Sequence, residues 1–150
     1  TYEIQNVSFG DLKQEAIHDI LKDGRLASHF LERQLEIWYP HLTFVDGRGY
    51  DHVDEEGNLY DQKCFTKGGL AFAPSNMIGG SRSINEEVAT EHCKDITYIA
   101  CDIIDFPTVR VKFAKGSDLM KEYKNFKIPK RTLALKPRSL VSICNTFCSE

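Results

Sequence analysis

The chain has 150 residues, 41% of them hydrophobic, and a formal net charge of -3; this is the length of one ordinary domain, able to bury a core without staples. No apolar run approaches the ~18 residues a membrane span needs, and the opening TYEIQNVSFGDLKQ lacks the charged-then-apolar layout of a signal peptide, so a soluble, cytoplasmic protein is expected, with no membrane partner. Five cysteines at scattered spacings fit free thiols in a reducing compartment, and Cys144 and Cys148 form a lone CxxxC with no second pair at zinc spacing.

Ser8 and Asp11 stand where they can cap a first helix, whose apolar positions Leu12, Ala16, Ile17, Ile20 and Leu21 follow helical spacing and end near Gly24. A second helix is expected from Arg25 or Leu26, with Leu26, Phe30, Leu31, Leu35 and Trp38 on one face, stopping before Pro40. The short β candidate LTFV follows, then YDHVDEEGNLYDQK, Tyr50 to Lys63, which places five acidic side chains in fourteen positions. The chain continues as a strand through Phe65 and enters TKGGLAFAPSNMIGGSRS, too long for a mere connector and so a candidate binding loop. Ile84 to Cys93 reads as a helix, DITYIACDII as a strand buried on both faces, and TVRVKF as an alternating strand with Val109, Val111 and Phe113 inward. Ser117 is expected to cap a last helix running to about Asn125, and the tail with Pro129 and Pro137 to be mostly extended or irregular. Helix, helix, hairpin, loop, helix, strand, strand, helix describes an α/β (α+β) domain with a small mixed sheet flanked by helices.

The net charge hides an asymmetry. Residues 1 to 61 carry 13 acidic and 5 basic side chains, residues 62 to 150 carry 9 and 14. Between Lys121 and Arg138 there are seven basic residues against the single acid Glu122, so that residues 121–150 read as a basic C-terminal tail. Such a split suits a polyanion met by one face, with an acidic site elsewhere that takes up cations.

The acidic stretch has the form of a hairpin. Glu55, Glu56 and Gly57 fit a three-residue loop, a type I turn followed by a residue at positive φ, flanked by Asp54 and Asn58. Counting outward from 54 and 58 puts Asp51 opposite Asp61, with Cβ atoms roughly 4.5 to 5.5 Å apart, and Lys63 on the same face as Asp61. Two facing carboxylates repel unless a cation sits between them, and hard divalent ions such as Mg²⁺ take oxygen ligands. Glu55 and Glu56, at the turn tip, are expected to be solvated, and a solubilising acidic edge remains the alternative use of the same pattern.

Asp51, nine residues, then Asp61-Gln62-Lys63 resembles the PD-(D/E)xK nucleases of the restriction-endonuclease-like fold. The fuller string of Asp51, Val53, Asp54, Gly57, Tyr60, Asp61 and Lys63 is similar to the catalytic hairpin of PvuII-type restriction endonucleases, and Thr66-Lys67-Gly68 and SDLMKEY extend the likeness. SHFLERQLEIWYPHLTF is similar to the first core helix of that fold, with Glu32 at the position of a glutamate that faces the metal site in junction resolvases. The resemblance implies Asp51 and Asp61 as metal ligands, the Gln62 main-chain carbonyl as a further one, and Lys63 as the group that activates water, with Glu32 as a fourth catalytic residue. It implies Mg²⁺, with Mn²⁺ as a substitute and Ca²⁺ binding without supporting cleavage, and a homodimer or homotetramer acting on double-stranded DNA. Tyr50 stands where the motif has proline and Asp61 where glutamate is commoner.

For reading DNA, Lys67, Ser75, Asn76, Ser81, Arg82, Ser83 and Asn85 offer groups suited to base edges or phosphates, Arg82 above all. Lys130, Arg131 and Arg138 are expected phosphate contacts. The five histidines are dispersed and give no catalytic pattern of their own. The expected function is therefore a sequence-specific double-strand endonuclease, a restriction or homing enzyme. A junction-resolving nuclease and a non-catalytic DNA-binding module are the alternatives.

Overall fold

The structure, a computed structural model, describes residues 1–46, 49–78 and 80–130. It is a mixed α+β domain whose sheet and helices follow the expected order. Six strands form the main sheet: β1 (Tyr2–Glu3), β2 (Thr43–Phe44), β3 (His52–Val53), β4 (Leu59–Phe65), β6 (Ile96–Asp102) and β7 (Thr108–Lys115). Their spatial order is β1-β7-β6-β4-β3-β2, with β4 and β6 parallel and every other pair antiparallel. The short β5 (Leu70–Ala71) and β8 (Lys127–Ile128) pair with each other in a separate ribbon.

Helices cover both faces because the central strands are apolar on both. In β6, Ile96, Tyr98 and Ala100 join one buried cluster, with Phe65, Phe72, Cys93, Leu119 and Ile128. Ile99 and Cys101 join the other, with Ile17, Leu31, Leu35, Leu42 and Val109. The first cluster lies under α3 (Glu86–Lys94) and α4 (Gly116–Glu122), the second under α1 (Gln14–Ile20) and α2 (Gly24–Trp38). Each fully buried leucine or isoleucine contributes about 1.5–3 kcal/mol. Cys64, Cys93 and Cys101 are free.

Several local expectations are corrected. Helix α1 starts after Lys13 and has no side-chain cap, so Ser8 and Asp11 do not cap it, and Leu12 is exposed. Helix α2 starts at Gly24 because the Asp23 carboxylate accepts the Arg25 N–H at 2.9 Å. The buried stripe of α2 is Ala27, Leu31 and Leu35, with Phe30 and Trp38 packed against the same cluster as expected, but Leu26 is exposed. Ser117 lies inside α4 and leaves its N-cap to Lys115. The basic segment does not begin as a free tail, since Lys121 sits in α4 and Lys127 and Ile128 form β8 against β5. At the other end, β1 adds an edge strand on which Tyr2 stacks against Trp38, ring centroids 4.1 Å apart and planes 8° apart. Among the described residues, no helix is long and apolar enough to cross a membrane.

Candidate active site

Next to the turn the hairpin has the expected register, but the expected pairing of Asp51 opposite Asp61 is not part of the ladder. His52 pairs with Tyr60 and Val53 with Leu59, and the Asp54 N–H donates to the Asn58 carbonyl. Gly57 has φ +83, the left-handed conformation that closes a three-residue loop. Asp54 ties the turn together by accepting from the backbone N–H groups of Glu56 and Asn58, the Asn58 amide and the Tyr60 hydroxyl. Glu55 and Glu56 are exposed, as expected.

β3 is short, and its end makes the site. The ladder stops at His52, after which the Asp51 N–H donates to the Tyr60 carbonyl. The next β4 amide on that side, Gln62 N–H, is taken instead by the Asp51 carboxylate at 2.7 Å. The N–H and C=O of one strand residue point the same way, so the Gln62 carbonyl is directed past the end of β3 as well. The Gln62 side chain is buried and donates from Nε2 to the Cys64 sulfur at 3.3 Å, while its Oε1 has no hydrogen-bond partner among the described residues.

Asp51 and Asp61 line the same two clefts. Burial pushes Asp51 up to about 7, and Asp61 beside it adds to the shift. Burial also works against the charge of Asp61, but His92 and Lys63 outweigh it and hold that carboxyl below the ordinary range. Lys63 Nζ lies 3.2 Å from Asp61 Oδ2 and donates to Ser75 Oγ at 3.0 Å. Glu32, on α2, is held above the ordinary carboxylate range chiefly by burial, although His29 at 3.8 Å opposes the shift. His52 does not enter the site. It is fully buried, and its ring bonds the Glu32 carbonyl at 2.7 Å, pinning α2 to β3.

Two clefts meet at the acidic pair. One, of about 510 Å³, is lined by Arg25, Ser28, Glu32, Lys63 and Thr66 together with Asp51 and Asp61. The other, of about 460 Å³, is lined by Tyr50, Pro74, Asn76, Met77, Val88 and His92 together with the same two aspartates. Ser75 lines both. Among the described residues, no group of three or more His, Cys, Asp and Glu side chains converges as a ready metal cage.

Of the expected site residues, Asp51, Asp61, Lys63, Gln62 and Glu32 come together. Ser75, expected at the DNA, instead holds the lysine. Arg82 reaches back to the Ser75 and Ile78 carbonyls at 3.5 and 3.4 Å, and Asn85 caps α3 by accepting the Val88 N–H at 3.2 Å. Asn76, Ser81 and Ser83 are exposed in the same region, Lys67 is exposed beside a separate cleft shared with Lys22 and Asp23, and Lys130 is exposed just after β8. Arg131 and Arg138 lie outside the described residues. Sequence reasoning missed His92, which α3 delivers from 29 positions beyond Lys63; no spacing signal marks it.

No protein-family model matches the chain, and no curated protein matches it.

Proposed function

We propose that this chain is a Mg²⁺-dependent endonuclease that hydrolyses double-stranded DNA to leave 5′-phosphates, with Asp51, Asp61, Lys63 and Glu32 as its catalytic residues. The observation that carries this reading is a pair of aspartates, Asp51 and Asp61, that line two adjoining clefts together, with an ammonium 3.2 Å from one of them.

The residues fit a hard divalent cation. Burial, with Asp61 beside it, raises the Asp51 carboxyl to about 7, and a bound cation would offset that penalty. Asp51, Asp61 and the Gln62 carbonyl would hold Mg²⁺, with Mn²⁺ as a substitute and Ca²⁺ as an occupant that does not support cleavage. Bound there, the ion supplies charge neutralisation at a phosphate and a more acidic water.

Lys63 has three donors, two of them directed at Asp61 and Ser75. The third orients the attacking water and meets the charge that develops on the pentavalent phosphorus. Glu32 lines the same cleft and, with its proton affinity raised, accepts a hydrogen bond or a proton from that water. The exposed lysines Lys121, Lys124, Lys127 and Lys130 supply phosphate contacts, and a two-fold target is met by a homodimer or homotetramer.

The test is a cleavage assay on supercoiled, linear and four-way-junction DNA with Mg²⁺, Mn²⁺ or Ca²⁺. Cutting is expected with the first two ions, with ligatable 5′-phosphate ends, and Lys63→Ala and Asp61→Asn should lower the rate by about 10² or more. A wild-type protein inert on every DNA form sinks the reading, and strong preference for the junction replaces sequence-specific cutting with junction resolution.

A further inference from the structure

The acidic pair has a neighbour from outside the hairpin. His92, in the last turn of α3, lines the second cleft with Asp51 and Asp61, and its Nε2 lies 4.0 Å from Asp61 Oδ2. That nitrogen is buried and, among the described residues, has no hydrogen-bond partner. A buried polar atom left in this way is costly, and a small rotation that brings it to an acceptor is favoured. Asp61 Oδ2, 4.0 Å away, is such an acceptor. The backbone opposite leaves space for the ring: Gly49 has φ +87, and a Cβ there would stand 3.1 Å from His92 Cε1.

We infer that His92 is a positioning residue whose Nε2–H donates to Asp61 Oδ2 and, with Lys63 on the same oxygen, fixes the orientation of that carboxylate toward Asp51. What the oriented carboxylate is for rests on the proposed nuclease function; the His92–Asp61 bond does not.

Long-range ¹H–¹⁵N NMR of the full chain, at a pH where imidazoles are neutral, reads which nitrogen carries the proton. The expected result is a proton on Nε2 of His92, with an Nε2 shift that moves in Asp61→Asn while the His52 signals stay in place. A proton on Nδ1, with Nε2 indifferent to Asp61→Asn, overturns the inference. Calorimetric titration of Mn²⁺ without DNA gives a second readout. His92→Phe should bind Mn²⁺ about tenfold more weakly, a penalty of ~1.4 kcal/mol, and His92→Gln, which keeps an amide donor near the Nε2 position, should recover most of the loss. Equal affinities in all three proteins overturn the inference. Absence of Mn²⁺ binding by the wild type overturns the nuclease reading instead, and the tautomer measurement still decides the role of His92.

Discussion

At the scale of single residues, Asp51 sets the behaviour of the site with pH. Its carboxyl titrates near 7 in the folded chain against 3.8 as an isolated group. A carboxyl raised in this way contributes stability that is complete below about 3.8 and lost as pH rises to about 7. The cation-free protein should therefore lose thermal stability between pH 4 and 7 beyond what its other groups dictate, and Asp51→Asn should flatten that slope. Adding Mg²⁺ should raise Tm more at pH 8 than at pH 5, where a proton already occupies the place of the ion; equal gains at both would contradict the account. His52 works in the opposite sense. Burial holds its ring below the usual imidazole range, so its contribution is complete above about 6.5 and falls as pH drops. Ser75 is a smaller matter of geometry: removing its hydroxyl frees Lys63 Nζ from one of its two partners. Ser75→Ala should slow cleavage by roughly five- to tenfold, the worth of about 1 kcal/mol, without changing Tm, and a loss as deep as that of Lys63→Ala would assign Ser75 a different role.

At the scale of elements, the hairpin was legible and its surroundings were not. Asp54, Gly57 and the period of two fix the register locally as far as His52, and Asp51 reaches the site past the end of β3, where its carboxylate takes the Gln62 N–H. The face of α2 was legible except at its start, where Ala27, a small residue, lies in the buried stripe and Leu26, a large one, outside it. Two-residue strands such as β1, β5 and β8 carry no pattern to read, and their pairing is a tertiary fact. His92 and Ser75 reach the site through the packing of α3 and the loop before it, which no spacing encodes. The link between α2 and β3 is the His52 bond to the Glu32 carbonyl. His52→Ala removes that second bond to the carbonyl and leaves a cavity, and should cost about 1–3 kcal/mol. It should also lower cleavage with Glu32 still present, whereas unchanged activity at unchanged stability would show that α2 is held by its apolar stripe alone.

At the scale of the whole molecule, the division into an acidic first part and a basic second part places opposite charges on different elements. Lys121, Lys124 and Lys127 belong to α4, the turn after it and β8, and Lys130 follows directly, so these cations are carried by the folded body. Duplex binding measured with Ca²⁺ should weaken as salt rises, and replacing Lys124, Lys127 and Lys130 together should flatten the log–log slope by up to about 0.9 for each lysine. An unchanged slope would put the duplex elsewhere on the surface. The stack of Tyr2 on Trp38 has a practical consequence for such experiments. Trp38 is the sole tryptophan of the chain, and it lies roughly 9 Å along the helix axis from Glu32 at 1.5 Å per residue. Its emission spectrum therefore watches the edge strand peel from the sheet, and one cuvette can separate fraying of the amino-terminal segment from events at the carboxylates, without a dye or a label.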